Sequence, residues 1–310
     1  MEITPVGRFD LTQSLLFGFG QREAATGVVD AGSGTATMPL GFVLDGYDEQ
    51  VGVVVSQQPS GALTLAVSRA GPASLDAARG QVARVLSVDV DATGWDALGE
   101  RDPLVGALQG ARPGLRPPLF YSAYEALVWA VLSARRPRLQ MAKVRADLSA
   151  AHGATIDVAG QQVAVLPTPR QLLAVKSFPG LTAEKIERLH GVARAALDGR
   201  LDTAELRSLP VAEAAVRLRE LDGIGPFYAE LVIVRALGHT DVLPTAEPQL
   251  LAIAGELTGA GRALSPAELD AYGREHWTPW RTWACVAVRA AGPALLEAPP
   301  PDTRAPLSRR

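Results

Sequence analysis

One short segment of the sequence combines residue types that bind anions. Asp222-Gly223-Ile224-Gly225 stands between two apolar stripes with helical spacing, and Pro226 follows at a position that favours the start of a helix. Glycines allow positive φ and close backbone approach, so the segment is predicted to form a tight hairpin between two helices. Amide groups at a helix N-terminus bind phosphate and other anions. A helix–helix turn that binds nothing fits the same pattern, so the glycines alone leave both interpretations open.

A carboxylate follows the second helix of this hairpin. Gly238 is predicted to end that helix, and the extended segment Asp241-Val242-Leu243-Pro244 leads to Glu247. A carboxylate held in such a loop can stabilise developing positive charge or orient a water molecule. An acid at the start of a helix is also favoured by the helix dipole without any catalytic role. The residue types alone leave both interpretations of Glu247 open, a charge-stabilising carboxylate and a solvated helix-start acid, and Asp241 is expected to be structural.

Basic and aromatic residues cluster at two further places. Residues 134–147 hold five basic residues and one acid, and Arg135 and Arg136 stand directly before a proline. Such a run is usually a solvated face, but in an acidic chain the local excess also fits contact with a polyanion. Residues 276–283 bring three of the five tryptophans together. We expect Trp283 in a core, whereas Trp277 and Trp280 are candidates for a pocket wall.

The elements that must position these residues differ along the chain. Residues 1–112 contain β-type runs separated by Gly and Pro turns, and residues 72–86 have helical periodicity, which predicts a small antiparallel sheet backed by helices. The Pro/Gly-rich passage 101–118 is the predicted boundary. A capping box at residues 122–125 opens an all-α domain over 113–292. Residues 293–310 are proline-rich and predicted to be a disordered tail, so the predicted fold class is α+β.

Composition limits the possible classes of protein. The chain has 310 residues, is 47% hydrophobic and carries a net charge of −3. It has one cysteine, which excludes a disulfide within the chain and a four-cysteine cluster, and no His/Cys spacing typical of a metal site. No apolar run is long enough to cross a membrane, and no signal peptide is recognised, so a cytoplasmic location is expected.

Together these segments resemble the helix-hairpin-helix DNA glycosylase superfamily, and most closely its DNA-3-methyladenine glycosylase II branch. The resemblance extends roughly over residues 5–292. It is carried by Leu221-Asp222-Gly223-Ile224-Gly225-Pro226-Phe227, Arg235-Ala236-Leu237-Gly238, Asp241-Val242-Leu243-Pro244 and Trp277-Thr278-Pro279-Trp280-Arg281. In that family a proline and a catalytic aspartate follow the second helix, and this chain has Glu247 at the matching position.

The resemblance implies a monofunctional DNA glycosylase of base excision repair. Such an enzyme flips an alkylated base of the 3-methyladenine type out of the duplex and hydrolyses its N-glycosidic bond. Relatives with lyase activity have a lysine where this chain has Phe227. The implied base pocket consists of Phe227, Leu231, Trp277 and Trp280. The implied DNA contacts are Asp222, Gly223, Ile224, Gly225, Arg135, Arg136 and Arg281.

The resemblance also implies partners and leaves one alternative function open. The expected partner is double-stranded DNA containing damaged bases, bound by a monomer without a cofactor or a metal held by side chains. A monovalent cation on the hairpin carbonyls, as in relatives, stays open. Two differences from the family, Glu247 and the Arg135-Arg136-Pro137 turn in place of the usual wedge, favour the alternative. In that case the chain is a weak or inactive member that binds damaged DNA without excising a base.

Overall fold

The computed structural model describes residues 1–17, 28–30, 35–69, 74–244 and 247–297. Its first part contains a five-stranded antiparallel sheet with the strand order β1-β5-β4-β3-β2. The strands are Glu2–Ile3 (β1), Val28–Asp30 (β2), Thr35–Val43 (β3), Gln50–Gln57 (β4) and Leu63–Arg69 (β5). Two helices, Leu11–Phe17 (α1) and Leu75–Val85 (α2), pack their apolar residues against this sheet. The predicted sheet backed by helices is confirmed, while residues 72 and 73 of the predicted helix lie outside the described residues.

A second, two-stranded sheet lies inside the part of the chain that was predicted to be all helical. Ala154–Val158 (β6) and Gln161–Val165 (β7) pair as an antiparallel hairpin around Ala159 and Gly160, both of which have positive φ. The hairpin packs over Gly41 and Gly52, which face each other in β3 and β4. A Cβ atom at Gly41 would lie 2.6 Å from the Val163 side chain. The α+β class holds, but the second domain is not purely helical, because the sheet needs this cover over its two glycines.

A helix lies inside the passage 101–118 that was predicted to be the boundary. Thr93–Arg101 (α3) ends where this passage begins, and Pro103–Ala111 (α4) lies within it. The Asp102 carboxylate accepts a hydrogen bond of 2.9 Å from the Val105 amide, and Pro103 occupies the first helical position, so the start of α4 is locally encoded. Both helices pack against the C-terminal helices in one hydrophobic core.

The remainder is mainly helical. Ala123–Ser133 (α5) is buried on all sides, as expected of a helix that is apolar all round. It shares one hydrophobic core with Arg138–His152 (α6), Pro169–Leu173 (α7), Ala183–Leu197 (α8), Thr203–Ser208 (α9), Val211–Arg219 (α10) and Pro226–Val232 (α11) with the π turn Ile233–Leu237. The C-terminal helices Pro248–Leu257 (α12), Pro266–His276 (α13) and Arg281–Glu297 (α14) belong to the core that contains α3 and α4. No helix within these described segments is long and apolar enough to cross a membrane.

The start of α5 differs from the predicted capping box in one respect. Ser122 caps the helix by accepting a hydrogen bond of 3.2 Å from the Glu125 amide. The Glu125 carboxylate does not return to the cap. It forms a buried ion pair of 2.7 Å with Arg145 of α6. A buried carboxylate is stabilised more by a guanidinium than by one backbone amide, so the tertiary contact replaces the local one.

The last helix extends past the predicted start of the tail. Helix α14 runs to Glu297 and includes Pro293, although proline removes one helical hydrogen bond. The helix continues because Leu295 beyond the proline packs against the hydrophobic core of the C-terminal helices. Residues 293–297 are therefore helical, and the rest of the predicted tail lies outside the described residues.

Candidate active site and nucleic-acid interface

A cavity of about 190 Å³ lies between the hairpin's second helix and the helices α12 and α14. Apolar side chains form most of its wall, and four charged side chains reach it. The lining residues are Phe227, Glu230, Leu231, Val234, Arg235, Pro244, Glu247, Leu250, Cys285, Val286 and Arg289. It therefore brings together residues from three elements that lie far apart in sequence.

Helix α11 and its π turn supply one wall of this cavity. Phe227, Leu231 and Val234 recur at helical spacing and all line it, as the sequence pattern predicted for one face. Phe227 lies at the rim with 43% of its surface exposed, while Val234 is buried. Gly238 ends the turn with a φ of 77°, a left-handed conformation that suits glycine. π turns are often found at functional sites.

Glu247 combines the two alternatives that the sequence left open. It is the N-cap of α12, and its Oε2 accepts a hydrogen bond of 2.7 Å from the Leu250 amide. Its Oε1 accepts a longer bond of 3.3 Å from the Gln249 amide. Arg289 of α14 lies with its Nε 3.0 Å from Oε2. Glu247 also lines the cavity. The same residue therefore caps a helix and borders a pocket.

Trp277 and Trp280 lie outside this cavity. Trp277 is fully buried and packs edge to face on Tyr272 with ring centroids 5.2 Å apart. Trp280 packs against Trp95 of α3 and Trp283 of α14, at centroid distances of 6.3 and 4.9 Å. Large indole rings gain most from complete burial, and α3 and α4 provide the surface that covers them. The prediction that these two residues wall the pocket is contradicted for this cavity.

The Arg281 side chain contacts Asp241 within the protein and does not extend into solvent, where DNA would bind. Its Nε lies 2.8 Å from Asp241 Oδ1, and its Nη2 lies 3.0 Å from Oδ2 and 2.9 Å from the Asp241 carbonyl. These hydrogen bonds raise the pKa of the Arg281 guanidinium. Only 19% of the side chain is exposed. This bidentate ion pair holds the loop that leads to Glu247. The prediction that Arg281 contacts DNA is therefore corrected, because its guanidinium fixes this loop instead.

The predicted hairpin forms at residues 221–225. Gly223 has a φ of 84°, and the buried Ile224 donates its amide to the Leu221 carbonyl at 3.0 Å. Among the described residues, the amides of Gly223 and Gly225 have no hydrogen-bond acceptor. Asp222 and Gly223 are exposed. The hairpin therefore offers two amides at a helix start, which is the arrangement that binds a phosphate.

The Arg135-Arg136 turn has a buried support that the sequence did not reveal. Lys185 of α8 donates from Nζ to the Val131 carbonyl at 2.9 Å, to the Ala134 carbonyl at 3.2 Å, and to the Leu132 carbonyl. It thereby caps the last turn of α5, where backbone carbonyls lack helical partners. Arg135 has a positive φ of 54°, and both arginines are exposed. Within the described part of the chain, neither arginine side chain forms an ion pair.

The turn and the hairpin lie on neighbouring parts of the surface. Burial lowers the pKa of Lys185, and the nearby cations Arg136 and Arg188 lower it further. Arg188 in turn lies against the hairpin, because a Cβ atom at Gly223 would be 2.9 Å from Arg188 Cδ. Helix α8 therefore links the basic turn to the hairpin, and the structure brings these two predicted DNA contacts together.

Arg235, Arg289 and Glu230 line the cavity without having been predicted as site residues. Burial lowers the pKa of Arg235 to about 10, with a further contribution from Arg138 at the start of α6. Its Nη2 donates to the Pro118 carbonyl at 2.8 Å, and its guanidinium lies 5.0 Å from the Phe17 ring centroid. The helical spacing from Phe227 places Glu230 on the same face and was an available signal. Nothing local in the sequence identifies Arg289.

Metal-binding groups are absent from the part of the chain that the structure describes, where no three His, Cys, Asp or Glu side chains cluster. Cys285 is buried in the cavity wall, and burial raises the pKa of its thiol.

Sequence comparison found two DNA-3-methyladenine glycosylases that are similar to this chain. No family model matches the chain. Over 191 residues, 59% of this chain, it is 30% identical to DNA-3-methyladenine glycosylase 2 of Escherichia coli strain K12. Over 208 residues it is 26% identical to a DNA-3-methyladenine glycosylase of Bacillus subtilis strain 168. The matched regions cover 63% and 66% of these relatives, which is slightly less than two thirds of their lengths.

Solved structures with the same fold include several DNA glycosylases. A 3-methyladenine DNA-glycosylase from Archaeoglobus fulgidus superposes with a TM-score of 0.77 at 19% identity, over 96% of this chain and 100% of that one. An 8-oxoguanine glycosylase/lyase from Clostridium acetobutylicum gives 0.65 at 17% identity, over 91% and 93%. The chain therefore has the fold of the helix-hairpin-helix DNA glycosylases, as its hairpin predicted. Its sequence is similar to DNA-3-methyladenine glycosylases over 59% and 64% of its length.

Proposed function

We propose that the protein is a monofunctional DNA glycosylase that removes alkylated bases of the 3-methyladenine type in base excision repair. The observation that carries this proposal is the position of Glu247, which lines the same cavity as Phe227 and Leu231. The cavity of about 190 Å³ is smaller than typical ligand pockets of roughly 300–1,000 Å³. Its size suits a single flipped ring system better than a whole nucleotide.

The reaction needs little beyond a positioned carboxylate. Breaking the N-glycosidic bond builds positive charge on the sugar, and the ionised Glu247 stabilises that charge and orients the attacking water. An N-alkylated purine is already a good leaving group, so a strong general acid is unnecessary. The lining, as far as the described residues define it, contains no lysine, so no amine is placed to form a Schiff base. Hydrolysis without strand cleavage follows.

The substrate is double-stranded DNA containing a damaged base, bound by a monomer in the cytoplasm. The amides of Gly223 and Gly225 would hold a phosphate, and the exposed Arg135 and Arg136 would contact the backbone nearby. A monovalent cation on the hairpin carbonyls would add a further attraction for that phosphate. These contacts position the duplex, while the cavity selects the base.

The decisive experiment measures single-turnover release of alkylated purines from duplex DNA by the native chain and by the Glu247→Gln variant. We expect release by the native chain and a loss of at least about a hundredfold in the variant, because the amide cannot stabilise the sugar cation. DNA affinity should be unchanged. Equal release by both proteins would show that another residue does the chemistry.

A second candidate function has its own structural support. Both oxygens of Glu247 accept backbone hydrogen bonds, and Arg289 neutralises the carboxylate. This arrangement suits a helix-capping acid in a protein that binds damaged DNA without excising a base. Salt-sensitive binding of damaged duplexes together with no release of any damaged base would establish this function.

A further inference from the structure

The two carboxylate oxygens of Glu247 have unequal surroundings. Oε2 accepts a short bond of 2.7 Å from the Leu250 amide and lies 3.0 Å from Arg289 Nε. Within the described part of the chain, Oε1 accepts one bond, at 3.3 Å from the Gln249 amide, which is beyond the usual range for N–H···O contacts. Oε2 is therefore the anchored oxygen, and Oε1 keeps most of its capacity to interact with a substrate.

Arg289 contacts the first turn of α12 at two points. Besides its contact with Glu247, its Nη2 donates to Gln249 Oε1 at 2.5 Å. The guanidinium lies on the face of α14 that also presents Val286 to the cavity. Only about a third of each charged side chain is exposed, 34% for Arg289 and 30% for Glu247. Since Gln249 fixes the guanidinium, Arg289 can fix the carboxylate in turn.

We propose that Arg289 is a positioning residue that holds Glu247 through Oε2 and directs Oε1 at the reacting sugar. As a statement about the reaction, this rests on the proposed function. Glutamate has one more methylene than aspartate and therefore more conformations to restrict. A displacement of ~1 Å at a reacting group can cost about a hundredfold in rate. An anchor on one oxygen restricts those conformations without occupying the other oxygen.

Other ionisable groups that line the cavity set the electrostatic background. Among the described residues they are Glu230 and Arg235 from α11 and its π turn, and Cys285 from α14. Burial keeps the Cys285 thiol uncharged by raising its pKa. Removal of Arg289 leaves Glu247 facing one further acid and one cation.

The test compares single-turnover base release by the native chain, Arg289→Gln and Arg289→Lys. In Arg289→Gln we expect a rate loss of about tenfold to a hundredfold at unchanged DNA affinity. Arg289→Lys should recover part of the rate, since it restores the charge but not the contact with both Glu247 and Gln249.

A matched control is Arg207→Gln. Arg207 forms an ion pair of 2.7 Å with Asp89, and the exposed fractions of 33% and 26% are close to those of the Arg289 pair. This pair lies outside the cavity lining, so its loss should leave the rate of base release unchanged. A rate loss in both variants would identify a general stability effect and overturn the proposal.

A second readout does not depend on activity. The carboxyl ¹³C signal of Glu247, assigned by its absence in Glu247→Gln, should change its chemical shift in Arg289→Gln and keep it in Arg207→Gln. An unchanged chemical shift in Arg289→Gln would overturn the proposal. Absence of base release by the native chain would overturn the proposed function alone, because the carboxyl chemical shift would still decide whether Arg289 holds Glu247. Native release that Arg289→Gln matches in rate would overturn the positioning role alone.

Discussion

Glu247 shows how one side chain can satisfy a helix and a cavity together. As the N-cap of α12 it satisfies amides that have no partner within the helix. Its approach to the cavity depends on the length of glutamate, which reaches Arg289 across the gap between α12 and α14. The contact with Arg289 therefore depends on the length of the side chain at residue 247.

Replacing Glu247 by aspartate tests whether that length matters. Aspartate is a good N-cap, so we expect Glu247→Asp to change the free energy of unfolding by less than ~1 kcal/mol. The shorter side chain loses Arg289, and base release should fall about tenfold to a hundredfold. Urea denaturation and single-turnover kinetics measure the two effects. A variant as fast as the native chain would show that base release does not depend on the length of the side chain at residue 247.

At the scale of elements, the C-terminal turn of α5 depends on an ammonium group supplied by α8. Lys185 is 9% exposed. Its ammonium group donates to the carbonyls of Val131, Leu132 and Ala134 at the C-terminal end of α5. The turn that it supports presents Arg135 and Arg136 to solvent. The positive φ of Arg135 is a strained conformation that the surroundings must maintain, so this support also determines where the basic side chains point.

The Lys185→Met variant keeps the apolar stem but removes the charge. Loss of the buried hydrogen bonds should cost ~2–3 kcal/mol of unfolding free energy. The loosened turn should also weaken DNA binding and lower the slope of log affinity against log salt by about one. Denaturant titrations and binding at several salt concentrations measure both. Lys143→Met on α6 is the control, because that lysine forms an exposed ion pair worth less than ~1 kcal/mol. Unchanged stability in Lys185→Met would contradict the capping role.

At the scale of the whole molecule, Arg116 joins the N-terminal sheet region to the helical part. It is fully buried, and it donates to the carbonyls of Arg8, Ser87 and Val90 at 2.9, 3.1 and 3.0 Å. Its guanidinium also lies 5.8 Å from the ring centroid of Trp283 in α14. Burial lowers the pKa of Arg116 to about 10. Because this value is still well above neutral pH, the guanidinium remains charged there.

Substitution of Arg116 by methionine should destabilise the whole chain. The carbonyls left without donors should cost at least ~3 kcal/mol of unfolding free energy. Circular dichroism and tryptophan fluorescence during denaturation measure the loss in the two regions. Arg112→Met provides the comparison, because in the described part of the chain that half-buried side chain forms one hydrogen bond, of 3.5 Å to Gln13, and its loss should change stability little. Equal midpoints for the two variants would show that Arg116 does not join the regions.

Local sequence signals determined the hairpin, its flanking helices and two sides of the cavity. The glycines of residues 222–225, the proline after them and the spacing of Phe227 and Leu231 act over a few residues, so their effect can be worked out without a fold. Glu247 belongs to the same group, since its place after Gly238 follows from the chain itself. The α+β class was predicted for the same reason, from the change in periodicity between residues 1–112 and the rest.

The tertiary structure decided what each remaining side chain contacts. Trp277 and Trp280 became core residues because α3 and α4 cover them, although the predicted boundary places those helices before the helical domain. Arg281 turned to Asp241, 40 positions away, and Lys185 to Val131, 54 positions away. Partners so distant in sequence meet only after packing, because the energies of burial and ion pairing depend on distance in space and leave no periodic signal along the chain. The contact between Arg289 and Glu247 also joins residues that are distant in sequence, so only the folded molecule shows it.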